Sequence, residues 1–186
     1  MTWRSRLNVA GVMVVALGVS ALATGCSTTN PNTLSKFLTV NTSAHTVNVE
    51  LIAGYTPEND YLNFDGFAHG QLVVTVPTGY KVNFDYYNNA GIPVDIGVYG
   101  SKYGKLAFAK AGDSIRDIML NPDSIPSAIA PGTSENIKFT ADRSGTFKIA
   151  NYLSRYQMFQ THPYDDLGMW ATLKVVNGAT PSISVS

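Results

Sequence analysis

The sequence is poor in sulfur, charge and histidine, and each shortage removes a class of function. Cys26 is the only cysteine among 186 residues, so no disulfide can close within the chain. Charged residues make up 14%, against ~25% in an ordinary soluble domain. Thirteen basic residues balance thirteen acidic ones, and no basic block stands out, so there is no positive field to draw in nucleic acid. The three histidines, His45, His69 and His162, are scattered along the chain. No Gly-x-Ser-x-Gly elbow, His-Glu-x-x-His helix or glycine-rich phosphate loop occurs. A catalytic role is therefore not expected. A surface so thinly charged repels itself only weakly when its carboxylates are protonated, which fits an acidic habitat among others.

What is present begins with an export signal. Trp3-Arg4-Ser5-Arg6 is a short basic start, and Leu7 to Ala23 is an apolar, uncharged run interrupted only by Asn8 and Ser20. Small residues then lead to Gly25-Cys26. A basic head, an apolar run and small residues before a cut describe a secretory signal. The cysteine after them resembles a lipobox, in which Cys26 is acylated and becomes the mature N-terminus. An uncleaved anchor helix is the other reading, since the run sits at the short limit for a membrane span. The expected division is residues 1–25 as lipoprotein signal peptide, 26–36 as a lipid-anchored polar tether, and 37–186 as one folded domain. The chain is then exported and anchored to the cell membrane or outer membrane, its domain facing the periplasm or the exterior.

Strand patterns fill the remainder. Thr46–Leu51 and Lys81–Tyr86 alternate polar and apolar residues, the mark of a half-buried strand. Gln71–Val76 is rich in β-branched residues and ends at the turn signal Pro77-Thr78-Gly79. Shorter strands are predicted over Ile96–Tyr99, Asn136–Phe139, Thr146–Ile149 and Ala171–Val176. Short strands punctuated by Gly and Pro, with no long helical pattern, predict an all-β two-sheet sandwich. Tyr103 to Ser127 reads as a long crossover, with a helical turn or two over Ala111–Leu120, and Tyr152 to Leu167 reads as a long loop.

Three groups of motifs, in order, resemble the sulfocyanins, the blue-copper family of the cupredoxin fold. The first is Asn63-Phe64-Asp65-Gly66, Gly70 and Pro77-Thr78-Gly79-Tyr80, where the family opens with an NFNG element, a strand and a PxGW turn. Asn88-Asn89-Ala90-Gly91-Ile92-Pro93 stands where the family carries a Pro-His pair. The third comprises Ala130-Pro131-Gly132, Gly145-Thr146-Phe147 and Gly168-Met169-Trp170. The resemblance spans residues 60 to 177 and implies a cupredoxin-like two-sheet Greek-key β-sandwich.

It also implies where copper ligands would stand. A type 1 site takes two imidazole nitrogens, a cysteine thiolate and a weak axial methionine. The position after the family's proline is Val94 here, and the position four residues beyond Phe147 is Asn151, so an imidazole and the thiolate are lost. Met169 matches the axial ligand, and His162 matches the second histidine if the loop has lengthened. Type 1 copper is thus not expected, nor is any cofactor. Val94 and Asn151 are expected to fill the old pocket by packing and neutral hydrogen bonding, with Asp95 needing an amide partner if buried. The leading expectation is a non-catalytic lipoprotein that binds a protein partner at the cell envelope through its loop edge, with respiratory electron-transfer proteins as context. Two other readings stay open. One is a copper-handling protein using His162, Met158 and Met169, with Asp165-Asp166 as further donors for a hard cation. The other is a carbohydrate-binding sandwich that stacks sugars on exposed tyrosines among Tyr80, Tyr86, Tyr87, Tyr99, Tyr103, Tyr152, Tyr156 and Tyr164.

Overall fold

A computed structural model describes residues 34–101, 105–112, 128–152 and 167–186. Alternating residues form the long central strands: β2 (Thr46–Ala53) and β4 (Lys81–Asn88) each bury every second side chain. These strands pair in parallel, and β1 (Leu38–Asn41) and β7 (Ser134–Thr140) flank them antiparallel, giving a sheet of order β1-β2-β4-β7. The second sheet contains β3 (Leu72–Pro77), β5 (Ile96–Gly100), β6 (Leu106–Ala111), β8 (Gly145–Ala150), β9 (Trp170–Val176) and β10 (Ser182–Val185). Its order is β10-β3-β9-β8-β5-β6, with β3 and β9 parallel. Parallel neighbours that are not consecutive in the chain require it to cross from sheet to sheet, which is the Greek-key winding of the sandwich.

The core lies between the sheets. Val47, Val49, Leu51, Phe84 and Tyr86 from the first face Leu72, Val74, Ile96, Ile149 and Leu173 from the second. Full burial of such side chains contributes ~1.5–3 kcal/mol each before entropy is charged. One side is closed by rings: Phe108 stacks on Phe139 at 4.9 Å and meets Phe147 edge-on at 4.8 Å. The Arg143 guanidinium lies 5.0 Å from the Phe108 ring and donates to the Ala107 carbonyl.

Three expectations change. Leu34, within the stretch read as tether, is buried with Phe37 in the core, so packing begins a few residues earlier than 37. The stretch read as a crossover from Tyr103 contains β6, which pairs with β5 and includes Ala111, while residues 113–127, with most of the expected helical turn, lie outside the described residues. Three of the tyrosines considered as sugar platforms, Tyr86, Tyr99 and Tyr152, are buried and offer no open face. Cys26, Tyr103, Met158, Tyr156, His162, Tyr164, Asp165 and Asp166 lie outside the described residues. Among the described residues no helix is long and apolar enough to cross a membrane.

Candidate functional site

One end of the sandwich gathers the motif residues. Asn88, at the end of β4, is fully buried and acts as the organiser. Its Nδ2 donates to the carbonyls of Ile92 and Ile129, both at 2.9 Å, and its Oδ1 accepts from Ala90 N at 3.0 Å. This shapes the turn through Pro93 and pins it to the segment entering β7. Val94 then makes reciprocal backbone hydrogen bonds with Ile129, at 3.1 and 2.8 Å, and its side chain is sealed from solvent. The ladder delivers Asp95 into the interior just before β5.

Asp95, Asn151 and Met169 converge there, all three fully buried. Asp95 N donates to Asn151 Oδ1 at 3.1 Å, and Asn151 Nδ2 donates to Met169 Sδ at 3.1 Å. One amide thus links the three segments, using its acceptor toward β5 and its donor toward the sulfur. Tyr86 lies nearby: burial first, and then the charge of Asp95, push its hydroxyl well above the ordinary phenol range. Its ring meets Phe64 at 6.2 Å, and among the described residues its hydroxyl has no hydrogen-bond partner.

A second set of loops locks onto the first. Asn63 Nδ2 donates to Thr56 O at 2.9 Å and Glu58 O at 2.6 Å, while its Oδ1 accepts from Gly66 N. Asp65 exchanges hydrogen bonds with Ile52, its own N donating to Ile52 O and its Oδ1 accepting from Ile52 N at 2.8 Å. Burial is the largest effect on this carboxyl and outweighs the Ile52 hydrogen bond; Glu50 pushes it further up and Lys36 pulls it down, leaving a pKa of about 8. His69 N and Gly70 N donate to the carbonyls of Gly168 and Trp170. A Cβ on Gly70 would sit 2.1 Å from the Trp170 ring, and one on Gly168 would sit 2.4 Å from the His69 ring. Both glycines hold positive φ, so no other residue fits this seam without strain. Asn59 Nδ2 donates to Leu167 O at 2.8 Å, bringing exposed Tyr61 and Leu167 to the same end.

Of the residues singled out in the sequence, Val94, Asn151 and Met169 are brought together with Asp95, and the Asn151 amide meets Asp95 through the backbone N–H rather than through the carboxyl for which an amide partner was expected. Two that sequence reasoning passes over belong to the same end. His69 carries no role in the sequence yet lies against Gly168, beside Met169. Asn88 reads only as part of a turn motif, and its side-chain triad of bonds is the organising contact. Among the described residues no group of three or more His, Cys, Asp or Glu is placed to hold a metal ion.

A two-sheet sandwich of this winding, with one loop end built from the β4–β5, β8–β9 and NFDG segments, is a cupredoxin-type domain. The family model described as Sulfocyanin (SoxE) domain matches residues 33–185. The chain belongs to the sulfocyanin family. Among solved structures it is similar to the dithionite-reduced auracyanin of the photosynthetic bacterium Roseiflexus castenholzii, at 18% identity over 69% of this chain and 96% of that one, TM-score 0.45. It is also similar to auracyanin A of Chloroflexus aurantiacus, a "blue" copper protein, at 15% identity over 70% and 98% of the two chains, TM-score 0.43. A multi-copper oxidase of Pseudomonas thermotolerans matches at 18% identity over 73% of this chain and 30% of that one, TM-score 0.49. The chain spans less than half of the length of the multicopper oxidases that it matches, 32%, 30% and 45% of three of them. No curated protein matches it.

Proposed function

We propose that this domain is a sulfocyanin-type cupredoxin without type 1 copper, held at the cell envelope by a lipid on Cys26, where it serves as a non-catalytic binding partner of another protein. The observation that carries the reading is the Asn151 amide, bonded at once to Asp95 N and Met169 Sδ. Type 1 copper needs a soft thiolate whose covalent bond to the metal lets an electron move with little rearrangement. The donors here are an amide, a thioether and a carboxylate, with Val94 as hydrocarbon where an imidazole would stand. Such a set does not fit the metal. An amide whose NH2 points at the sulfur also occupies the lone pair that an ion would use. Asn151 therefore replaces a metal–ligand bond with neutral hydrogen bonds that hold the same three segments, each worth ~1 kcal/mol in a buried site.

With the chemistry gone, the loop end remains as a surface. Tyr61 and Leu167 are 49% and 38% exposed, and Asn59 holds the two segments together. Exposed aromatic and aliphatic side chains on a braced loop are what a protein partner anchors to. Envelope electron-transfer proteins are the context in which such a partner is sought.

Titration of the purified protein with Cu(I) and with Cu(II) tests the reading. The expected result is no tight stoichiometric binding of either ion. Tight one-to-one binding that disappears in His162→Ala would replace it with the copper-handling reading built on His162, Met158 and Met169. Photo-crosslinking from positions 61 and 167 in native membranes tests the docking surface. One recurrent protein product from both positions is expected, and none from either would contradict it.

A further inference from the structure

The outward face of the four-stranded sheet lies away from the loop end and carries a separated charge pattern. The register between β2, β4 and β7 sets its side chains in rows across the strands. Lys81 stands in the first row, Lys138 beside Asn83 in the second, Glu50 beside Asp85 in the third, and Tyr87 in the fourth. All five charged or aromatic side chains are exposed. The sheet twist makes two hollows along this face. One, of about 490 Å³, is flanked by Lys81 and Lys138 and lined further by Thr46, Asn83, Val82 and Phe139. The other, of about 320 Å³, is flanked by Glu50 and Asp85.

We propose that this face binds a second copy of the same chain. A two-fold axis running across the strands, between the Asn83 row and the Asp85 row, exchanges first row with fourth and second row with third. The lysine-flanked hollow of each copy then meets the acidic hollow of the other. Lys138 comes opposite the row of Asp85, and Lys81 comes opposite Tyr87, whose ring can receive an ammonium. Because the axis makes every contact twice, one charge-separated face suffices and the assembly closes as a dimer. A one-signed face would repel its copy, whereas a split face does so only in the wrong orientation. The loop end lies beyond the Tyr87 row, so the two copies carry their loop ends at opposite extremes and leave both free. Four strands at ~4.8 Å and seven residues at ~3.3 Å give a face of about 19 by 23 Å. That is roughly half the ~800 Å² per partner of a standard interface. The dimer is accordingly weak, concentration-dependent and salt-sensitive.

Sedimentation velocity of the full chain in detergent, at low and at high salt, tests the proposal together with two charge-reversed variants. The wild type dimerises at low salt and dissociates as salt rises. Lys81→Glu with Lys138→Glu, and separately Glu50→Lys with Asp85→Lys, each weaken self-association at least about tenfold. Mixing the two variants restores a dimer, since each now carries the sign that the other lacks. That restoration requires both variants to be folded and excludes simple loss of structure. Lys81→Gln with Lys138→Gln, which keeps volume and removes charge, lowers the salt dependence. A wild type that is monomeric throughout, or a dimer indifferent to both reversals, overturns the proposal. So does a monomer that is retained instead on an anionic polysaccharide.

Discussion

Asp65→Asn is the substitution with the largest calculable consequence. Asp65 is buried in the NFDG turn, its Oδ1 accepts from Ile52 N, and among the described residues its Oδ2 has no hydrogen-bond partner. Its pKa rises from the ordinary 3.8 to about 8, so the folded protein keeps a proton that the unfolded chain releases. The sign follows from linkage: the folded pKa is raised, so the contribution is fully present below pH ~4, is lost as pH climbs from ~4 to ~8, and is constant above. A tenfold difference in proton affinity between the folded and unfolded chain is worth ~1.36 kcal/mol, so a rise from 3.8 to about 8 costs the native state on the order of 5 kcal/mol over that window. In Asp65→Asn the amide oxygen keeps the Ile52 bond and the NH2 stands where the protonated oxygen stood. Asn also tolerates the positive φ of 54° at this position. Urea unfolding of wild type and variant from pH 4 to pH 8 measures the difference. With a slope of ~2 kcal/mol per molar, the variant's midpoint exceeds the wild type's by about 2.5 M at pH 8, and the two nearly coincide at pH 4. Parallel pH profiles, or a wild type that gains on the variant as pH rises, would refute the reasoning.

Tyr86→Phe removes a buried hydroxyl that has no hydrogen-bond partner among the described residues, so it leaves stability unchanged or raises it by up to ~1 kcal/mol in thermal or chemical unfolding. Asn88→Ala removes the side-chain partners of Ile92 O and Ala90 N, leaves Ile129 O with the Val94 N–H alone, and costs about 3 kcal/mol by the same assay, with the loop end losing amide-exchange protection first. Gly70→Ala places a methyl in the Trp170 ring at a positive φ, costs at least ~2 kcal/mol, and shifts the Trp170 fluorescence.

The long central strands are legible in the sequence because β2, β4 and β9 alternate buried and exposed residues, the period of a half-buried sheet. β1 and β10 are not: four residues each, on sheet edges and mostly exposed, they carry no alternation to read. β6 is equally silent, since none of its residues is fully buried and its pairing with β5 is irregular. At the site, positions 94, 151 and 169 can be located because each lies at a fixed offset from a local motif. The amide that joins them can only be anticipated, since Asp95 and Asn151 are 56 residues apart. His69 gives no sign at all, because what places it is a backbone bond to Gly168 rather than its own chemistry. Tyr86 shows the converse: alternation puts it inward while composition suggests a surface platform, and the period is the better guide.

An amide, that of Asn151, and not a sulfur anion, stands just past the end of β8, and the proposed function depends on it. The most direct measurement is the visible spectrum of purified protein with added Cu(II), compared with that of the Val94→His, Asn151→Cys variant. Wild type gives no intense thiolate-to-copper absorption, while the variant, which puts a thiolate within reach of the Met169 sulfur, gains it. An intense band from the wild type would contradict the central claim.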